Sequence, residues 1–168
     1  MAGEANKLLL VELGFGTGFK DEIVKMLGRI QMFDDFQVEE MAALAHYMHA
    51  YQAQTGAIIY RENERAGHLC LLVEGKLEVY KTSEAGRKKK LADVRAGKTI
   101  GEMSIIDGLP NSATVRVAEP SKLILLTKNN LKKVTEHHPV LGVKLLWHFA
   151  NLLSQRLRQT SGRLVDFL

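Results

Sequence analysis

The residues of this chain that are best suited to hold a ligand lie together in the run from Gly101 to Val115, which reads GEMSIIDGLPNSATV. Glu102 offers a carboxylate that accepts hydrogen bonds, Asn111 a neutral amide, and Ser112 a hydroxyl group that donates. The chemistry of this run is therefore hydrogen bonding to a polar ligand. A strand–turn–strand segment without any ligand is the alternative interpretation.

No group of residues in the sequence is arranged for catalysis or for metal binding. His46 and His49 lie three residues apart on a predicted helix, but no third ligand accompanies them at metal-site spacing, which favours a plain surface helix. The pair His137–His138 precedes a proline at a predicted helix end, where a positive charge suits the helix dipole. No nucleophile elbow and no cysteine–histidine arrangement occurs either. We therefore predict a protein that is not an enzyme and that has no metal and no cofactor.

The run 101–115 resembles the phosphate-binding cassette of the cyclic-nucleotide-binding domains. We call this run the cassette. That family, found in catabolite activators, kinase regulatory subunits and gated ion channels, has Gly-Glu, a short apolar stretch, a turn, and then Pro-Arg-Ser/Ala-Ala. In this chain Gly101-Glu102 and Pro110-Asn111-Ser112-Ala113 fit the pattern, except that Asn111 takes the place of the arginine. Further family-like patterns occur at Ile30–Phe36, Leu69–Val79 and Ala96–Gly101, so the resemblance extends from about Phe33 to the C-terminal helix.

The resemblance implies a binding site for cyclic AMP or cyclic GMP. Its residues in this chain would be Gly101, Glu102, Met103, Ser104, Asn111, Ser112 and Ala113. In the family the glutamate accepts a hydrogen bond from the ribose, N–H groups of a short helix face the phosphate, and the arginine binds that phosphate with two charge-assisted hydrogen bonds. Loss of one partner of such a buried charge pair costs about 2–5 kcal/mol, or about 30-fold to a few thousand-fold in affinity. Alternatively, Arg61, Arg65 or Arg116 reaches the phosphate instead.

Two functions are compatible with this resemblance. The first is a regulatory domain that senses a cyclic nucleotide and signals through its C-terminal helices to a protein effector in trans. Asn111 motivates the second, a degenerate domain that no longer binds cyclic nucleotides and serves as a dimerisation or protein-interaction scaffold. Transcription factors of the family carry a helix-turn-helix module after the long helix, but only eleven residues follow Leu157. We therefore expect no helix-turn-helix domain and no direct DNA binding.

The elements that position the cassette are predicted to form a single domain over residues 1–168 with a mainly β fold. Short apolar runs broken by turns over residues 51–128 predict an all-β region, and the resemblance specifies a jelly-roll (double-stranded β-helix) barrel. N-terminal helices over residues 1–50 and C-terminal helices over residues 129–168 are expected to flank it. The predicted strands are Ala57–Tyr60, His68–Val73, Lys76–Lys81, Lys89–Val94, Thr99–Gly101, Ala113–Val117 and Lys122–Thr127.

Local signals predict where the turns and helices begin. A tight hairpin is expected at Val73-Glu74-Gly75-Lys76, where the glycine supplies a positive φ. The expected helix starts are Asp21 for the first helix, Asp34 or Asp35 for the second, Asn129 or Asn130 for the third and Pro139 for the last.

The last helix is apolar over more of its circumference than packing on one core requires. At about 100° per residue, its apolar residues between Leu141 and Leu157 fill an arc of roughly 200°, whereas one packed face needs little more than about 100°. Arg156 is the one charge inside that arc. We predict a homodimer that forms through Leu146, Leu153 and Leu157 of this helix. Alternatively, Leu164–Leu168 folds back and covers the apolar surface.

Composition and charge are those of an ordinary soluble globular protein, with 46% hydrophobic residues, 25% charged residues and a formal net charge of +4. The densest basic run, Arg87–Lys90, is predicted to be a solvated hairpin tip, because no aromatic residue interleaves with it. The single Cys70 excludes an intramolecular disulfide and fits a reducing interior. No apolar stretch of the sequence is long enough for the core of a signal peptide or for a membrane span. We expect a cytoplasmic protein with no membrane partner.

Overall fold

A computed structural model describes residue 6 and residues 8–165, with side chains up to Gly162. Its sheet has seven strands: β1 (Leu10–Phe15), β2 (Met48–Ala53), β3 (Ile58–Tyr60), β4 (His68–Thr82), β5 (Lys88–Arg95), β6 (Thr99–Ile100) and β7 (Thr114–Thr127). The α-helices with defined bounds are α1 (Lys20–Leu27), α2 (Val38–Ala45), α3 (Glu102–Asp107), α4 (Lys128–His137) and α5 (Pro139–Val165).

The predicted mainly β jelly-roll fold is confirmed, but the sheet does not close into a barrel. The strands follow the order β1-β2-β7-β4-β5, with β3 paired to β7 and β6 paired to β4. The long strands β4 and β7 form the centre of the sheet and pair in antiparallel direction along almost their whole length. At one end His68 lies opposite Thr127, and at the other Tyr80 lies opposite Thr114. Within the described residues, β1 and β5 each have a neighbour on one side only, so the strand path has two open ends.

Apolar side chains are buried on both faces of the sheet, because successive residues of a strand point to opposite faces. On β4, Leu69 and Leu71 face a core that is shared with the helices, whereas Cys70 and Leu72 face the interior of the jelly roll. The helix-side core includes Ile23, Leu27, Leu44, Leu131, Val134, Leu141, Leu145 and Phe149. Removal of this apolar surface from water is what holds α1, α2, α4 and the first half of α5 on the sheet.

The N-terminal region is not wholly helical, contrary to the prediction. Residues Leu10–Phe15 form the edge strand β1, which pairs with β2 in antiparallel register. The Nδ1 atom of His49 in β2 lies 2.6 Å from the carboxylate of Glu12 in β1. His46 directly follows α2, so the two histidines do not share a helix. These pairings join residues that are far apart in the chain, which local helical periodicity cannot reveal.

The first two helices begin at residues other than those predicted. Asp21 lies inside the first turn of α1, which begins one residue earlier. α2 begins at Val38 and not after Asp34 or Asp35, because the backbone N–H of Gln37 donates to the Glu40 carboxylate and fixes the start of the helix there.

The two C-terminal helices follow β7 directly. The start of α4 is capped by Thr127, whose hydroxyl oxygen accepts a hydrogen bond from the backbone N–H of Asn130, and not by Asn129 or Asn130. A side-chain oxygen one residue before the helix reaches that N–H more readily than one inside the first turn. The helix α5 begins at Pro139, as predicted.

The hairpin predicted at Val73-Glu74-Gly75-Lys76 is wrong, because the chain continues through it as the single strand β4. Gly75 has a φ of +93°, and the pairing with β7 shifts register on both sides of it. A Cβ atom at Gly75 would lie 2.2 Å from the hydroxyl oxygen of Ser121 and 2.5 Å from the carbonyl oxygen of Pro120. The glycine therefore forms a bulge that keeps both halves of β4 paired with β7. The two predicted strands 113–117 and 122–127 likewise belong to one strand, β7.

We expect Gly75→Ala to destabilise the protein by about 2–5 kcal/mol. The left-handed backbone costs an alanine about 1–2 kcal/mol, and the clash with the Pro120–Ser121 backbone adds about 1–3 kcal/mol. Gly86→Ala is the matched control, since Gly86 also has a positive φ, of +73°, but no atom lies within 4 Å of its added Cβ. Urea denaturation of both variants measures the difference. Equal losses of stability in the two variants would contradict the assignment of Gly75 as a tightly packed bulge.

One face of α5 is buried and another is left exposed. Leu141, Leu145 and Phe149 are buried in the helix-side core. Of the residues predicted to form a dimer, Leu146 is 38% exposed and Leu157 68% exposed, and Leu153 is half-buried. The alternative is that the segment Leu164–Leu168 folds back over this surface. Its first two residues, Leu164 and Val165, continue the helix, and its last three lie outside the described residues. Within the described chain no helix is both long and apolar enough to cross a membrane.

Candidate functional site

The cassette folds into a short helix and a turn directly after β6. Gly101 has a φ of +95°, and a Cβ atom there would lie 2.2 Å from the hydroxyl oxygen of Tyr60, so glycine is required at this position. Glu102 then opens α3, which ends at Gly108 with a second positive φ, of +73°. The chain returns to the sheet as β7. Two left-handed glycines thus fix the direction in which α3 enters and leaves the sheet edge.

A cavity of about 720 Å³ lies between the cassette, the strands β4 and β5, and the C-terminal part of α5. Its volume is within the range of small-molecule sites. The structure places all seven predicted site residues on its wall: Gly101, Glu102, Met103, Ser104, Asn111, Ser112 and Ala113. Apolar side chains supply much of the remaining wall, namely Val79, Val94, Ile100, Leu109, Val115 and Leu152. The cavity therefore combines a polar rim on the cassette with an apolar interior.

Glu102 is bound by a residue of the C-terminal helix. Glu102 is 2% exposed, and Nη1 of Arg156 donates a hydrogen bond to Oε1 of its carboxylate. Nη2 of the same guanidinium group donates to the carbonyl oxygen of Thr99 at 2.6 Å. The second carboxylate oxygen, Oε2, is buried and has no hydrogen-bond partner among the described residues. A buried carboxylate oxygen without a donor is costly, so Glu102 can accept a further hydrogen bond with a gain in free energy.

Asn111 connects the cassette to the loop before β4. Its side-chain nitrogen donates to the carbonyl oxygen of Arg61 at 3.1 Å. Its backbone N–H donates to the carbonyl oxygen of Glu64 at 2.9 Å. Its own carbonyl oxygen accepts from the N–H of Asn63 at 2.9 Å. With only 8% of its surface exposed, Asn111 is therefore part of a hydrogen-bonded loop junction as well as of the cavity wall.

The three arginines that were candidates to replace the missing charge do not line the cavity. Arg116 instead donates to Glu78 at 3.2 Å and lies over the ring of Tyr80 on the other side of the sheet. The cations that do line the cavity are Arg95, Lys98 and Arg156. Sequence reasoning missed Arg156 as a site residue, although its position as the one charge in the apolar arc of α5 was a signal.

Burial favours the neutral forms of Tyr60, His68 and Cys70, which lie beside the cassette. Burial raises the pKa of Tyr60 well above its usual value, and its hydroxyl group donates to the carbonyl oxygens of His68 and Ile100 at 2.9 and 3.1 Å. Burial lowers the pKa of His68, whose ring stacks on that of Tyr60. Burial also raises the pKa of the Cys70 thiol to about 12. A neutral thiol is a poor nucleophile, so this group has a packing role.

The open jelly roll thus places a helix–turn cassette over a cavity of small-molecule size. Residues 51–138, more than half of the chain, match the cyclic nucleotide-binding domain, and the protein belongs to that family. Domains of this family are regulatory and not catalytic, although they also occur as parts of enzymes such as the lysophospholipase of Neurospora crassa, which is 18% identical over 136 residues.

Solved and sequenced relatives agree with this assignment. A cyclic nucleotide-binding domain from Methylobacillus flagellatus is similar with a TM-score of 0.83 and 32% identity, covering 96% of this chain and 90% of that chain. The cyclic AMP receptor protein of Thermus thermophilus is 26% identical over 128 residues, which are 76% of this chain and 57% of the receptor. A cAMP-dependent protein kinase regulatory subunit from Mycosarcoma maydis is 24% identical over 82% of this chain and 25% of the subunit. This chain thus spans less than two thirds of the length of the receptor and of the kinase subunit.

Proposed function

We propose that this protein is a regulatory domain that binds a cyclic nucleotide, cyclic AMP or cyclic GMP, in the cassette cavity and signals through α5. The observation that carries the proposal is the ion pair between Glu102 of the cassette and Arg156 of α5. It connects the ligand-binding wall directly to the long helix. A ligand that interacts with Glu102 therefore changes the restraint on α5 as well.

The chemistry of Glu102 specifies how a ligand acts on the helix. A ligand hydroxyl group that donates to Oε2 of this carboxylate withdraws part of the charge that holds the guanidinium group of Arg156 on Oε1 and so weakens the ion pair. Arg156 is 39% exposed and can then move into solvent. Release of Arg156 frees the part of α5 beyond Leu152, where the helix has lost its deeply buried contacts. A protein effector in trans would then bind the two positions of α5 with different affinities.

We further propose that α5 pairs with its copy in a homodimer. The exposed and half-exposed apolar residues Val143, Leu146, Ala150, Leu153 and Leu157 alternate at spacings of three and four residues. This spacing averages 3.5 residues, the repeat of a left-handed two-helix coiled coil. All five of these positions are apolar, and the charged residues between them, Lys144 and Arg156, lie at other positions of the helix.

A second candidate function is a scaffold without a nucleotide. It is favoured by Asn111, because the amide that replaces the family's arginine donates to Arg61 within the protein. In this case the Glu102–Arg156 pair would be a permanent structural link, and the domain would act through its dimer or its surface alone.

Calorimetry with cyclic AMP and with cyclic GMP tests the first function against the second. We expect saturable binding of one of the two nucleotides. Arg156→Gln should increase the affinity by about 5-fold, because a partly exposed ion pair that competes with the ligand is worth up to about 1 kcal/mol.

Arg158→Gln is the matched control for this experiment, because Arg158 is an exposed arginine on the same helix that does not line the cavity. It should leave the affinity unchanged. Weaker binding by the Arg156→Gln variant would mean that Arg156 supports the ligand and does not compete with it. No binding of either nucleotide to the unmodified protein would favour the scaffold.

A further inference from the structure

Two lysines lie side by side at the rim of the cassette. Lys81 of β4 and Lys89 of β5 are directly opposite each other in the strand pairing, so their side chains share one face of the sheet. Like charges in directly opposite positions repel each other. Among the described residues neither lysine has a carboxylate within ion-pair distance, whereas the adjacent Lys90 binds both Glu78 at 2.9 Å and Asp93 at 2.6 Å. The pair therefore has no direct ion-pair partner there, although the nearby Glu62 carboxylate, which accepts from the N–H of Thr82, feels the charge of Lys81.

The two lysines share the sheet face that lines the cavity further along the strands, although both are exposed and neither lies on the cavity wall itself. Val79, two residues before Lys81 on β4, lines the cavity, and so does Ala92, which lies opposite Val79 on β5. Nζ of Lys81 donates to the carbonyl oxygen of Ser112 at 3.1 Å. The ammonium group thus lies at the end of the cassette turn, one residue from Asn111.

We propose that Lys81 and Lys89 form a cationic subsite for the phosphate of the ligand, and that this subsite supplies the charge that Asn111 lacks. This inference rests on the proposed function, because it assigns the position of the anion at the Ser112 edge of the same cavity. A cyclic phosphate at the Ser112 end of the cassette meets two ammonium groups and relieves their repulsion. A neutral nucleoside of the same base gains nothing from them, so the subsite favours the phosphorylated ligand.

Calorimetry with cyclic AMP and with adenosine on Lys81→Gln, Lys89→Gln and the double variant tests the subsite. Glutamine at position 81 keeps a donor for the carbonyl oxygen of Ser112 and removes only the charge. We expect each single variant to weaken cyclic AMP binding by about 3- to 5-fold and the double variant by about 10-fold or more. Adenosine affinity should not change, and the salt dependence of cyclic AMP binding should decrease.

Lys88→Gln is the control, because Lys88 neighbours Lys89 on the strand but points to the opposite face. An equal loss in this variant would show a general effect of net charge and would overturn the subsite. Unchanged cyclic AMP affinity in the double variant would overturn the subsite while the proposed function stands. Absence of binding of cyclic AMP and of adenosine to the unmodified protein would overturn both.

Discussion

Asn111→Arg should raise the affinity of this domain for cyclic AMP by about 30-fold or more, because a buried charge pair with the phosphate is worth about 2 kcal/mol at the low end of its range. Position 111 lines the cavity, so an arginine there can place its guanidinium group on the ligand. The same change removes the hydrogen bond to Arg61 and should lower the free energy of unfolding by about 1 kcal/mol. Calorimetry measures the first effect and urea denaturation the second.

Asn111→Gln is the control, since it changes the length of the side chain without adding charge. It should weaken the junction with Arg61 but should not improve cyclic AMP binding. Adenosine affinity should not rise in either variant, because the gain comes from the phosphate. An Asn111→Arg protein that folds and shows no binding of cyclic AMP at all would mean that the cavity cannot accept the ligand, and it would favour the scaffold. Binding equal to that of the unmodified chain would mean that position 111 does not face the phosphate.

Leu153→Glu should convert the proposed homodimer into a folded monomer. Burial of a leucine side chain contributes about 1.5–3 kcal/mol, so Leu146, Leu153 and Leu157 of each protomer make a seam that can exceed the cost of association. A glutamate in its centre places two like charges next to each other across the two-fold axis. Sedimentation at tens of micromolar measures the change in mass.

Asn151→Glu is the matched control for the dimer, because Asn151 is exposed and lies on the flank of α5 away from the seam. The same added charge there should leave the dimer intact. A monomeric unmodified protein at tens of micromolar would overturn the proposed homodimer. Dissociation by both variants would show that net charge on the helix, and not the seam, controls assembly.

The fold of the cassette region could be predicted because its signals are local. The Gly101-Glu102 pair and the turn before Asn111 lie within one short run, and the apolar run around Leu71 shows a buried strand directly. Pro139 marks the start of α5 because proline suits the first turn of a helix. The convergence of the seven predicted residues on one cavity wall follows from the same short run, and their binding of a ligand stays a prediction.

The remaining features depend on contacts between distant parts of the chain. A glycine with a positive φ suits both a hairpin and a bulge, so Gly75 could be assigned only once β7 was seen to pair with β4 on both sides of it. β1 is a strand because β2 is its partner, and nothing local distinguishes it from a helix. The link from Arg156 to Glu102 requires that α5 crosses the cassette, which no spacing in the sequence reports.

The most direct test of nucleotide binding at the cassette is a calorimetric titration of the unmodified protein and of Glu102→Ala with cyclic AMP and with cyclic GMP, up to millimolar concentration. Glu102 joins the cavity wall to α5, and within the described part of the chain its buried Oε2 atom has no donor. We expect saturable binding of at least one of the two nucleotides, with one ligand per chain, and loss of that binding in Glu102→Ala. No binding of either nucleotide to the unmodified protein, or equal binding in the variant, would contradict nucleotide binding through Glu102.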